Sequence, residues 1–407
     1  MQEIILISFL GPDQPNQFTR LMQVLSSHSL QILDVGQAVI HNQLTLGIVV
    51  ASEDQTATAL AMKEILILAH DIGLTVRFKP ISNAEYNQWV SEGGATRYIV
   101  TAFAPELKAA DLQAVTQIVS GQGFNIETVT RLSERLVLDT PNTKPHRACV
   151  EFGLKGKMFD AQGMRAACLH LSTELNIDIA VQEDNVYRRN RRLVCFDMDS
   201  TLIEQEVIDE LAREAGIGAQ VAEITERAMQ GELDFQQSFR ARVALLKGLD
   251  ASVLPKIAER LTITEGAERL ISTLKLLGYR TAILSGGFQY FAEYLQKKLG
   301  IDEVHANILD VQDGVVTGEV KGTIVDGARK AELLRRLADE MGISLEQVIA
   351  VGDGANDLPM LSIAGLGVAF RAKPLVRQNA NHAISSIGLD GVLYLLGVHD
   401  KDMHPAH

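Results

Sequence analysis

Two acidic pairs stand at the ends of short apolar runs. Asp197 and Asp199 follow directly on Leu193–Phe196, and Asp353 and Asp357 follow Val348–Val351 within Gly352-Asp353-Gly354-Ala355-Asn356-Asp357. One carboxylate of such a pair can attack an electrophile while the other donates or accepts a proton. On extended backbone, residues two apart point to one side, although the turn that begins at Asp197 can separate their roles. Each stretch alone also reads as a helix cap or a solvated turn. Packed together, like charges need a proton or a cation, and Asp197, Asp353 and Asp357 would form an oxygen-rich site suited to Mg2+. Between the pairs, Ser285-Gly286-Gly287 ends a strand and leads into a helical pattern over Tyr290–Leu299. The Ser285 hydroxyl and nearby backbone N–H groups could hold phosphoryl oxygens there, though a lone Ser-Gly-Gly is more often a plain turn. Lys330 precedes the helical run Ala331–Met341 and could bridge nucleophile and phosphate; in isolation it would simply be solvated.

Positioning these residues needs a sheet whose strands end on one side. Leu193–Phe196 is a nearly continuous apolar run, as expected of a strand buried on both faces of a parallel sheet, and further strand signals lie at Tyr279–Leu284, Val348–Val351 and Leu366–Ala369. Helical patterns dominate from about Ile203 to Leu261. The pattern predicts a doubly wound α/β core with a helical cap over about 204–258, inserted after the first strand. A β excursion over His305–Val320 is expected to turn at Asp313-Gly314. The first half carries a weak duplication offset by 94 residues, in which Phe9 matches Phe103 and Ile32 matches Ile126. Each copy predicts a β-α-β-β-α-β, ferredoxin-like unit. The expected boundaries are 1–81 and 97–184 for the two copies, a polar linker at 82–96 that holds Trp89, and 185–407 for the core with its cap. Gln182–Arg192, with four arginines, reads as a solvated join.

A chain of 407 residues suits two or three domains, and 46% hydrophobic residues suffice for ordinary cores. Lys and Arg total 38 against 51 Asp and Glu, a formal charge of -13 that disfavours phosphate-backbone binding; no basic and aromatic motif for nucleic acid stands out. Cys149, Cys168 and Cys195 lie far apart and form no disulfide framework or zinc set, which fits a reducing cytoplasm. The first residues carry Glu3 rather than a basic leader, and no apolar run approaches the roughly 20 residues of a membrane span.

Taken in order, Asp197-Met198-Asp199-Ser200-Thr201, Ser285-Gly286-Gly287, Lys330 and Gly352-Asp353-Gly354-Ala355-Asn356-Asp357 resemble the four motifs of the haloacid dehalogenase superfamily of phosphotransferases, over about Arg192 to Gly388. The resemblance is close to its phosphoserine-hydrolysing members. It implies a Rossmann-like core with an inserted helical cap, Asp197 as a nucleophile that forms an aspartyl-phosphate, and Asp199 as general acid and then base. It also implies Mg2+ held by Asp197, the Asp199 backbone carbonyl and Asp353, with Asp357 supporting the metal shell. Ser285, Gly286, Lys330 and Asn356 would line the phosphate side. In the cap, Glu206 and Arg242 resemble the residues that recognise the amino and carboxylate groups of O-phospho-L-serine, and Met229 and Phe235 resemble those that close the pocket. The implied reaction releases L-serine and phosphate, the last step of serine biosynthesis.

The two amino-terminal copies resemble ACT domains, small ferredoxin-like regulatory modules of amino-acid enzymes. That resemblance implies a homodimer and a possible amino-acid regulator such as L-serine, with Gly11 and Asp13 in the loop after the first strand as the local candidates. Asn16 departs from the usual glycine there, and the second copy lacks the Gly-Pro-Asp stretch. Purely structural dimerisation is the competing role. Two other readings of the whole chain stand: an enzyme for another phosphomonoester, such as phosphothreonine or homoserine phosphate, or for phosphotransfer, and an amino-acid sensor whose phosphatase domain is inactive.

Overall fold

The computed structural model describes residues 2–94, 96–135 and 147–403. Its chain forms two compact units, 1–95 and 96–407. In the first, β1 (Glu3–Pro12), α1 (Gln17–Ser27), β2 (Gln31–Ile40), β3 (Gln43–Ser52), α2 (Gln55–Asp71) and β4 (Thr75–Ile81) build an antiparallel sheet in the order β2-β3-β1-β4. Alternation sends Ile5, Ile7 and Phe9 of β1 inward against Leu21, Leu25, Ala61 and Ile65 of the helices. Asp54 starts α2 by accepting from Thr56 and Ala57 N–H at 2.8 and 3.1 Å. The stretch after β4 is more than a polar linker. It holds α3 (Asn83–Ser91), opened by a reciprocal capping box between Ser82 and Glu85.

The second unit begins with a repeat of the same fold: β5 (Arg97–Ala104), α4 (Ala109–Gly121), β6 (Asn125–Arg131), β7 (Ala148–Lys155), α5 (Ala161–Leu175) and β8 (Asp178–Glu183), with strand order β6-β7-β5-β8. Ile5 pairs with Val50, and its counterpart Ile99 with Gly153, so the repeat slips beyond 94 residues once the longer connection between β6 and β7 is passed.

The α/β body follows. It comprises β9 (Leu193–Phe196), the cap helices α6 (Val207–Glu214), α7 (Gly218–Met229), α8 (Phe235–Ala244) and α9 (Val253–Arg260), then α10 (Ala267–Leu276), β10 (Arg280–Phe288) and α11 (Gln289–Leu299). Next come β11 (Glu303–Gln312), β12 (Val315–Lys321), α12 (Gly327–Glu340), β13 (Val348–Gly352), α13 (Leu358–Ile363), β14 (Leu366–Phe370), α14 (Pro374–Asn379), β15 (His382–Ile384) and α15 (Gly391–Leu395). The sheet order is β12-β11-β10-β9-β13-β14-β15, parallel except for the β11–β12 hairpin. That hairpin turns at Asp313 and Gly314, both at positive φ (50° and 78°), as the sequence predicts. Because β9 lies between β10 and β13, the chain leaves it in two directions, and a crevice opens at its carboxyl end.

The cap is fastened at two places. Ile203 bridges Ile263 at its neck, where Glu204 N–H also donates to the Thr262 carbonyl at 3.0 Å. Farther along, Gly248 N–H donates to Val316 O, Val316 N–H to Leu249 O and Ala251 N–H to Gly314 O, which ties the α8–α9 connection to the hairpin.

Within this unit the second ferredoxin-like domain and the α/β body share one apolar core: Phe103, Cys149 and Ala180 pack with Tyr394 and Leu395. Two arginines of the expected solvated join are buried, Arg188 at 4% and Arg191 at 6% exposure, which corrects that reading. Arg188 pairs with Glu151, a partner 37 residues away that no local pattern reveals. Asp178 caps the junction, accepting from the backbone N–H of Ser385 and Ser386 and from the Ser386 hydroxyl at 2.6–2.9 Å. Asp178→Ala strands these half-buried donors. It is expected to lower the stability of the 96–407 unit by about 3 kcal/mol in urea unfolding, and an unchanged midpoint would refute this role.

Candidate active site

At the carboxyl end of β9 the ladder continues one residue further, as Asp197 N–H donates to the Val351 carbonyl of β13 at 2.8 Å. Both Asp197 oxygens are held. Oδ1 accepts from Met198 N–H at 2.7 Å and Oδ2 lies 2.8 Å from Lys330 Nζ, so the carboxylate is fixed in orientation. Asp326 caps α12 by accepting from Arg329 N–H, and this helix start places Lys330 in its first turn, fully buried. Lys330 also donates to Asp357 Oδ1 at 2.6 Å, while Asp357 Oδ2 accepts from Gly354 N–H at 2.9 Å. Burial alone would lower the Lys330 pKa, but the charges of Asp197 and Asp357 override it and raise it above the ordinary lysine value.

Asp197, Asp353 and Asp357 each offer an oxygen within 4.8 Å of the others. One ammonium cannot balance three carboxylates. Burial, reinforced by Asp197, pushes Asp353 up to about 8 and Asp357 up to about 7. A hard oxygen donor set with excess negative charge fits a divalent cation such as Mg2+. The Asp199 side chain lies outside this cluster. Its Oδ1 is buried with no hydrogen-bond partner. Desolvation, with Glu206 and Asp197 adding repulsion, raises its pKa well above the usual carboxylate range. These neighbours bias Asp199 toward its protonated form, the form a general acid needs.

The stretch expected to face phosphate lies on β10, which carries Ser285, Gly286 and Gly287 inside the strand rather than beyond it. Ser285 Oγ accepts from Gly287 N–H at 2.9 Å. A side chain at Gly287 would stand 2.7 Å from Met198 Cε and 2.9 Å from Asp199 Oδ2, so this position needs glycine for β10 to meet the loop after β9. Asn356 lies half-buried on the single turn Ala355–Asp357.

From the cap, Phe235 stacks on Phe239 (centroids 6.0 Å apart), which packs against Phe288 at the end of β10. Phe235 also covers Gly286, where an added Cβ would lie 2.9 Å from its Cζ. Ser200, at φ 56°, donates through Oγ to Glu206 Oε1 at 2.9 Å. Glu206 is solvent-reachable yet crowded, and desolvation, with Asp197 and Asp209 adding repulsion, raises its pKa. Arg242 has a buried Nε with no acceptor; burial lowers its pKa against the opposing pull of Glu206, Asp209 and Asp199. Met229 ends α7, and its side chain lies outside the described residues. Gly11 and Asp13 belong to the other unit, at and just beyond the end of β1.

Sequence reasoning left three contributors without a role. Thr201, fully buried, lies with Oγ1 3.3 Å from Asp353 Oδ1. Gly287 is the second. Asn307 donates to the Gly286 carbonyl and accepts from Val325 N–H, both at 2.8 Å. Thr201 and Gly287 stood inside recognised motifs, whereas Asn307 sat in a strand pattern with no chemical signal.

The haloacid dehalogenase-like hydrolase family matches residues 191–365, and the ACT domain family matches residues 3–79. The chain is 40% identical to the phosphoserine phosphatase of Streptomyces coelicolor over 99% of its own length and 94% of that protein. It is also 40% identical to a phosphoserine phosphatase of Mycobacterium tuberculosis, over 97% and 93% of the two chains. This chain belongs to the phosphoserine phosphatase family. A solved haloacid dehalogenase family hydrolase of Salmonella enterica serovar Typhi superposes with a TM-score of 0.64 at 30% identity, covering 74% of this chain and 98% of that one. A member of the phosphoserine phosphatase family with this carboxylate cluster should respond to metal removal in a pH-dependent way. Without metal, Asp353 keeps its proton up to about pH 8, whereas in the unfolded chain it loses it near pH ~4. The folded state then binds more protons, so metal-free stability falls as pH rises from ~4 to ~8. Thermal unfolding in chelator should show this decline, and Mg2+ added at pH 8 should reverse it; a metal-free Tm that climbs across the window would contradict the assignment.

Proposed function

We propose that this chain hydrolyses O-phospho-L-serine to L-serine and phosphate, with Asp197 as nucleophile and Asp199 as acid and base. The observation that carries the mechanism is the Asp199 carboxyl, buried without a partner at Oδ1 and biased toward its protonated form, beside the oriented Asp197 carboxylate. Asp197 attacks phosphorus, and Asp199 gives its proton to the departing serine oxygen. Asp199 then takes a proton from the water that breaks the aspartyl-phosphate, which releases phosphate and restores both groups. Lys330 holds Asp197 and balances the phosphoryl charge, with Ser285, Gly286 and Asn356 on the phosphate side. Mg2+, held by Asp197, Asp353 and the Asp199 backbone carbonyl with Asp357 in support, would neutralise and orient the phosphoryl group.

Substrate choice rests on the cap. Arg242, with an unpaired buried Nε, suits the substrate carboxylate, and Glu206 suits its ammonium, with Phe235 closing the pocket over Gly286. Arg242→Ala is expected to raise KM for phosphoserine at least ~10-fold with a smaller change in kcat. Equal losses on phosphoserine and on an aryl phosphate would argue against this specificity role. The activity itself is tested by phosphate release from phosphoserine, phosphothreonine and an aryl phosphate, with and without Mg2+; a folded, metal-loaded protein without preference for phosphoserine would overturn the reading.

A homodimer is supported by the exposed apolar side chains Val35, Val39 and Ile40 on β2, an edge strand. L-serine regulation at Gly11 and Asp13 is supported by a loop that keeps its shape: Asn16 adopts the left-handed backbone (φ 67°) that glycine favours, and buried Gln17 donates to the Pro12 and Ile72 carbonyls. A cytoplasmic location is supported by three free, buried cysteines. No helix among the described residues is long and apolar enough to cross a membrane.

A further inference from the structure

A cavity of about 440 Å3 lies between α5 and β8 of the second ferredoxin-like domain and the β14–α14–β15 edge of the catalytic body, and no proposed catalytic or substrate residue lines it. That volume is typical of small-molecule sites. Met164, Cys168, Ile179 and Val181 give it an apolar wall. Arg191 also lines it, although the residue is 6% exposed. Its Nη2 donates to Gln182 Oε1 at 3.2 Å, but Nε and Nη1 are buried with no acceptor among the described residues. Burial pulls its pKa down to about 10, and no carboxylate figures among the charges acting on it.

The other polar groups of the cavity do not resolve this deficit. Asp178 is occupied by Ser385 and Ser386, and Arg165 by the Gln378 and Ala380 carbonyls and the Asn381 side chain. Glu183 and Glu346 are exposed. Arg377 adds a second buried Nε without an acceptor. An unpaired guanidinium held away from water is costly, and an anion with a planar fork of acceptors relieves it best. The apolar wall leaves the rest of such a ligand to be hydrocarbon.

We propose that this cavity binds a small monocarboxylate with an apolar remainder, its carboxylate on Arg191 with Arg377 as a second donor.

Calorimetric titration of the full chain with hexanoate, phenylacetate, hexanamide and inorganic phosphate tests this independently of phosphoserine turnover. Hexanoate or phenylacetate should bind, hexanamide at least ~10-fold more weakly, and Arg191→Gln should weaken the carboxylates at least ~10-fold. Should that variant fail to fold, Arg377→Gln should still lower their affinity, and the Met164 methyl resonance of methyl-labelled wild-type protein should shift on binding while that of Met198 stays in place. Absence of carboxylate binding, equal binding by the arginine variants, a shift at Met198 alone, or phosphate binding tighter than either carboxylate would each overturn the proposal.

Discussion

Asp197→Asn should leave a folded protein whose kcat for phosphoserine is lower by about 10^4-fold or more, the scale expected when a covalent nucleophile is removed. The substitution is isosteric, and Lys330 keeps its second partner, Asp357, at 2.6 Å. The change also removes one of three crowded carboxylates, so stability should be nearly preserved. Rapid quench with phosphate-labelled substrate should trap label on the wild-type chain and none on the variant. Turnover within tenfold of wild type, or label retained by the variant, would sink the nucleophile assignment.

The second large effect is expected at Lys330. Lys330→Met removes the cation that Asp197 and Asp357 share and leaves both buried carboxylates without it. Breaking a buried pair in this way costs about 3–5 kcal/mol. Activity should fall at least ~10^3-fold, since Asp197 loses its orientation and the phosphoryl group loses its counter-charge. The pH dependence separates this from a general packing defect. Lys330 has a raised folded pKa, so its stabilising charge is fully present below the ordinary lysine value and is lost only as pH rises through the higher folded one. Between pH 5.5 and 8 the variation must therefore come from Asp357, which burial already biases toward its protonated form and which takes up a proton as pH falls once the cation is gone. Urea unfolding in chelator should show the deficit largest at pH 8 and smaller at pH 5.5. Equal deficits at both values would point to lost packing instead.

Much of this site could be read before any coordinates because the fold gathers strand ends. The buried runs Leu193–Phe196 and Val348–Val351 announce parallel strands, and acids directly after them can only lie at the mouth of the crevice. The hairpin turn at Asp313-Gly314 was legible for a local reason, since both residues tolerate positive φ. Contacts between distant segments were not. Arg188 and Arg191 look solvated in a polar stretch, yet both are buried, Arg188 against Glu151 of β7. Asn307 reaches Gly286 from 21 residues away and carries no pattern of its own. The helix at Asn83–Ser91 was hidden differently: Ser82 and Glu85 form a capping box, but the segment buries no residue, so it lacks the apolar stripe that usually marks a helix.

The two-point fastening of the cap bears on how substrate gets in. A flap hinged only at its neck could swing as a whole, but here the α8–α9 connection is stitched by backbone hydrogen bonds to the β11–β12 hairpin. The part of the cap that carries Phe235 and Arg242 therefore behaves as a strut braced between the sheet edge and the neck. The hairpin is thereby part of what supports the cap, despite contributing no reacting atom. Lengthening its turn at Asp313-Gly314 would slacken the brace and alter the rate of substrate entry while leaving the carboxylates where they are.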